Sequence, residues 1–234
     1  MPVFGELRAF VRASLLDPAD EPGTASRRRW IVTGVTLVAG AVTLGWSLSI
    51  RPGDPLFYPA TIGVAVVWLV GAFASGPLRL GHGRTRTGGA SRALLQGVIL
   101  GGLLLAVFLA GALLVGRLPW LRGPVDLLLA HAGYGALPIV AAITALNGVA
   151  EELFFRGAVF AALTRWRVAV STVVYAVATM PSGVPLLVFA AVALGVVTGL
   201  QRRATGGVSG PIATHLTWSL GMLFALPWAL DVGS

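Results

Sequence analysis

The chain has 234 residues, of which 56% are hydrophobic and only 11% charged, and its mean hydropathy is +0.85. Soluble domains carry about 25% charged residues, so this balance excludes an ordinary soluble enzyme and makes the lipid bilayer the first partner. The net charge of +8 comes from arginines set between apolar runs, a pattern that orients membrane loops and excludes nucleic acid as the expected partner, and the absence of cysteine removes disulfide and thiolate chemistry.

Residues 1–29 are polar and arginine-rich. Phe4, Leu7, Val11 and Leu15 recur at helical spacing, which predicts a short helix lying in the membrane interface. Residues 17–26 read as a linker. Apolar spans are expected at 30–50, ended by the turn signal Arg51-Pro52-Gly53, at 59–78 and at 93–115. Asp126 then reads as the N-cap of a short apolar helix, and a long helix follows over 136–164. A short segment at 168–180 ends at Pro181-Ser182-Gly183, and two further spans are expected at 184–200 and 211–230.

The fold class is therefore all-α, a polytopic transmembrane bundle of about seven spans, or eight if residues 125–135 hide another crossing. Three regions follow: the interfacial helix and linker (1–29), N-terminal transmembrane helices (30–124) and a C-terminal transmembrane core (125–234). Arg8, Arg12, Arg27, Arg28, Arg29, Arg79, Arg84, Arg86, Arg92, Arg165, Arg167, Arg202 and Arg203 fall on one side; Arg51, Arg117 and Arg122 fall on the other. The positive-inside rule puts the first set, and the N-terminus, in the cytoplasm. A prokaryotic plasma membrane is the expected location.

Glu151, Glu152 and Arg156 lie within the long helix, far from either loop. A lone ionisable group at the bilayer centre costs about 2.5–3.5 kcal/mol, so such a cluster needs a reason. Glu152 and Arg156 stand at i and i+4 and can pair on one face. Glu151 is turned by about 100° from Glu152 and is free to face another cavity. A buried ion pair that fixes packing, or a proton relay, would also account for these residues. His215 is the second candidate, with Ser219 one turn on, so both can address one partner. By itself, a histidine in an apolar helix is more often a packing residue.

The run Glu151-Glu152-Leu-Phe-Phe-Arg156 is an EExxxR motif, and His215…Ser219 partly matches HxxxN/D. Over residues 136–225 the chain resembles the CPBP family of intramembrane proteases, also called Abi or CAAX-protease-like, with a degenerate second motif. That family's FxxxH is met here by Tyr175…Thr179, and its last Asn or Asp by Ser219. The resemblance implies an endopeptidase in which Glu151 is the general base, Glu152 and Arg156 its supporting pair, and His215 the oxyanion or proton partner. Thr179 can hydrogen-bond a water but cannot carry a proton near neutral pH. Ser219 can donate to an oxyanion.

No cofactor is expected. There is no HExxH, and a divalent metal such as zinc would require Glu151, Glu152 and His215 to converge as its ligands; His82 sits in a loop and His131 near a helix end. The expected partner beyond lipid is a peptide or membrane-protein substrate. A catalytically inactive relative that binds a peptide or protein partner is the alternative, and a proton-coupled transporter using the two glutamates as a relay is the third reading. The spacings Gly97…Gly101 and Gly195…Gly199 are read as close helix packing within the bundle.

Overall fold

The computed structural model describes residues 2–16, 25–81, 93–134 and 136–233, and every regular element among them is a helix. Helix α1 (Pro2–Val11) runs on through a π-helical turn, Arg12–Leu16. It is followed by α2 (Arg27–Ser49), α3 (Phe57–Ser75), α4 (Ala93–Val115) and α5 (Pro119–Gly133). Helix α6 (Leu137–Ala162) contains a π-helical stretch, Leu153–Val159. The chain closes with α7 (Arg167–Thr179), α8 (Pro185–Thr205) and α9 (Ser209–Gly233).

The bundle is built inside out relative to a soluble protein. On α2, Val35, Val38 and Val42 are each 65% exposed, while Thr33, Thr36, Gly40 and Ser47 are buried. Val66, Val70 and Phe73 on α3 and Leu94, Val98 and Val107 on α4 face outward in the same way. An apolar surface this continuous is untenable in water; in lipid it is the solvent-facing side. Among the described residues α2, α3, α4, α6 and α8 are long and apolar enough to cross a membrane. The chain is an integral membrane protein.

Seven spans are expected from sequence, and the difference from five lies with α7 and α9. Helix α7 has 13 residues, about 20 Å at 1.5 Å per residue, so it cannot cross alone. Helix α9 has 25 residues, but Thr214, His215, Thr217 and Ser219 dilute its apolar character. Asp126 is a correction. Helix α5 begins earlier, at Pro119, whose fixed φ suits the first helical position. Asp126 therefore lies inside α5, where it pairs with Arg122 one turn back at 3.4 Å. On α1, Phe4 and Val11 are exposed. The linker reading at 17–26 falls largely outside the described residues, as do His82, Arg84, Arg86 and Arg92.

Small residues set the helix contacts. A Cβ on Gly97 would stand 2.6 Å from Ala213 Cβ, and one on Gly101 2.6 Å from the Thr214 carbonyl oxygen, so α4 lies backbone-close against α9. Gly195 and Gly199 do the same for α8 against Thr172 and Val168 of α7. Both pairs act within the bundle, as expected. Gly40 leaves room for the Trp68 indole between α2 and α3.

The arginine-bearing loops meet at one end. The Arg29 guanidinium is buried and donates to the Pro77 carbonyl at 3.0 Å, and Val208 N–H donates to the Arg79 carbonyl at 3.2 Å. Arg202, in the last turn of α8, donates from Nε to the Arg156 carbonyl at 3.0 Å, which ties that end to α6.

The α4–α9 seam yields a prediction. Gly101→Leu should lower unfolding stability in detergent by about 1–3 kcal/mol through overpacking. Gly102→Leu, where nothing lies within 4 Å of the added Cβ, should leave stability nearly unchanged in the same assay.

Candidate active site

Helix α6 carries the acidic pair in its last α-helical turn and Arg156 in the π-helical stretch that follows. π-Helical stretches commonly mark functional sites, and all seven residues of this one are buried. Glu152 has no exposed surface. Its Oε2 lies 3.4 Å from Arg156 Nε, and its Oε1 accepts from His215 Nδ1 at 2.9 Å. A carboxylate can only accept, so Nδ1 carries the proton and the tautomer of His215 is assigned by its partner. Nε2 is thereby left free, to accept in the neutral ring or to donate in the charged one.

Two packing features make this geometry possible. A Cβ on Gly148 would lie 3.3 Å from His215 Cδ2, so the glycine one turn before Glu152 lets α9 bring its imidazole in. Beneath the charges lies an aromatic floor. Trp68 of α3 packs on Phe154 at 4.8 Å, and Phe155 packs on Tyr175 of α7 at 4.6 Å. The Arg156 guanidinium sits over the Tyr175 ring at 4.8 Å, where the ring face favours a cation.

Glu151 faces the other way, into a cavity of about 320 Å³ lined mostly by apolar side chains. Its Oε2 lies 4.0 Å from His215 Nε2 and accepts a short hydrogen bond from the Tyr175 hydroxyl. Thr179 and Ser219 line the same cavity. The Thr179 hydroxyl donates to the carbonyl of Tyr175 in its own helix at 2.9 Å. Ser219 Oγ is buried without a hydrogen-bond partner among the described residues. Four of the six residues singled out from sequence, Glu151, Thr179, His215 and Ser219, therefore share one cavity. Glu152 and Arg156 lie behind it.

Sequence reasoning assigned no role to Tyr175 or Gly148. Tyr175 stands in a motif that elsewhere has phenylalanine, and its added hydroxyl is the available signal. Gly148 had none, because its importance depends on which helix packs against it.

A metal centre does not fit the donors present. Both oxygens of Glu152 are engaged by Arg156 and His215, so only Glu151 and His215 Nε2 face the cavity as potential ligands. His131 lines a more distant part, with its ring nitrogens 2.9 Å from the Leu127 carbonyl oxygen and 2.7 Å from that of Ile50. Among the described residues no three His, Asp or Glu side chains converge as a ligand set.

Residues 133–221 match the family model described as type II CAAX prenyl endopeptidase, Rce1-like. The CPBP resemblance read from the motifs is thus met by a family match over the stretch that holds the whole site. No curated protein and no solved structure matches the chain. Within the Rce1-like stretch, α6, α7 and α9 each contribute to one constellation, and the N-terminal helices supply its walls through residues such as Thr61 and Trp68.

The Glu152 network carries a stability prediction. Arg156→Met strands a buried carboxylate and should cost about 3–5 kcal/mol in equilibrium unfolding in detergent. Adding Glu152→Leu to that variant should recover part of the loss, because the uncompensated charge goes with it.

Proposed function

We propose that the chain is an intramembrane endopeptidase that hydrolyses a peptide bond with water activated by Glu151. The observation that carries this is the division of labour between adjacent carboxylates: Glu152 is ion-paired with Arg156 and hydrogen-bonded to His215, and Glu151 faces an apolar cavity. A general base needs an oxygen within hydrogen-bond reach of the proton it removes. A water about 2.8 Å from both Glu151 Oε2 and His215 Nε2 fits across their 4.0 Å separation.

In the proposed reaction Glu151 takes a proton from that water as its oxygen attacks the carbonyl carbon. The tetrahedral intermediate places negative charge on the former carbonyl oxygen. Ser219 Oγ, buried and without a hydrogen-bond partner among the described residues, is a donor available to it. Glu152 supports a charged imidazole, as a carboxylate does behind a catalytic histidine. Collapse breaks the C–N bond, and the proton held by Glu151 passes to the leaving amine. The apolar walls suit a substrate segment of apolar side chains drawn from a peptide or membrane protein.

A second reading, peptide binding without hydrolysis, is favoured by Thr179. Its hydroxyl is committed to the α7 backbone, and no histidine stands at that position. The arginine asymmetry supports a cytoplasmic N-terminus.

Purified full-length protein in proteoliposomes, incubated with internally quenched peptides bearing an apolar segment, distinguishes these readings. The proposal expects cleavage that falls by about 100-fold or more in Glu151→Gln. Equal turnover by the variant contradicts it, and binding without cleavage by the wild-type chain favours the second reading.

A further inference from the structure

The Tyr175 hydroxyl contacts the proposed base directly, and nothing in the reaction above uses it. It donates to Glu151 Oε2. Its ring has little freedom: Tyr175 is 7% exposed, held by Phe155 at 4.6 Å and by the Arg156 guanidinium at 4.8 Å. The other polar groups near Glu151 are committed elsewhere. Thr179 bonds its own helix, His215 Nδ1 bonds Glu152, and His215 Nε2 stands 4.0 Å away. Among the described residues, Tyr175 makes the one direct hydrogen bond to Glu151.

A base that swings between rotamers in a 320 Å³ cavity spends little time at its target. We infer that Tyr175 is a positioning residue for Glu151: its phenol holds Oε2 and the carboxylate plane, and leaves the remaining lone pair of Oε2 for the water shared with His215 Nε2. The hydroxyl does the work that an imidazole at position 179 would otherwise do. Tyr175 and Thr179 are one turn apart on α7, and both line the cavity. An N–H donor at 179 therefore enters the same space from the same helix. Arg156 joins the two halves of the site, because it pairs with Glu152 and covers the ring that orients Glu151.

The inference rests on the proteolytic reading, and the experiment separates the two. The full chain, Glu151→Gln, Tyr175→Phe and Tyr175→Phe/Thr179→His are compared on the same quenched peptides, with folding checked by gel filtration and thermal unfolding. Tyr175→Phe keeps the ring and its cation contact and removes one hydrogen bond to a charged group. It should lower kcat by about 10- to 100-fold with KM little changed. Tyr175→Phe/Thr179→His should regain much of that loss, which a purely structural role for the hydroxyl would not produce. Unchanged kcat and KM in Tyr175→Phe, with Glu151→Gln inactive, overturns the role of Tyr175 and leaves the protease intact. A loss that histidine at 179 does not repair overturns the equivalence of hydroxyl and imidazole. An inert wild-type chain overturns both.

Discussion

The site depends on one buried carboxylate, Glu152, held between a guanidinium and an imidazole in a medium that cannot solvate it. Removing a charge from water is costly, and attraction to close partners of opposite charge or with a hydrogen to donate offsets that cost. Arg156 and His215 supply those partners from α6 and α9, so the charge network also fixes how the two helices meet. The π-helical stretch, the glycine at 148 and the aromatic floor are consequences of bringing three ionisable groups together inside an apolar bundle. Each makes room for a group or supports it.

With Glu152 committed to Arg156 and His215, its neighbour is turned to the cavity. One residue along a helix is a rotation of about 100°, which separates a wholly buried carboxylate from one that lines a cavity. The same sequence adjacency that makes the pair expensive in lipid thus divides it into a structural acid and one that lines the cavity. Glu151 and His215 Nε2 face each other across 4.0 Å, a gap that suits a shared water better than a direct hydrogen bond. That is the arrangement the proposed hydrolysis uses.

Much of this was legible in the chain. Long apolar runs gave the membrane class, and the i, i+4 spacing gave the Glu152–Arg156 pair. The likeness at EExxxR and His215 identified the segment that the family model matches. What could not be read depended on partners distant in sequence. Gly148 matters only because His215 packs on it, and the Tyr175 hydroxyl matters only because α7 brings it to Glu151. Asp126 misled because an aspartate before an apolar run resembles a cap. The decisive start signal was Pro119, several residues earlier. The span count diverged for a related reason: a helix as short as α7 crosses nothing alone, and α9 trades apolar residues for polar ones that serve the site.

The central claim, that Glu151 activates water and does not itself attack the peptide, is tested most directly by a single turnover in heavy-oxygen water. With water as the nucleophile, the first product acquires one heavy oxygen at its new carboxyl terminus, while peptide mapping finds Glu151 unlabelled. Heavy oxygen in the Glu151 side chain, which reports a covalent anhydride, would contradict it.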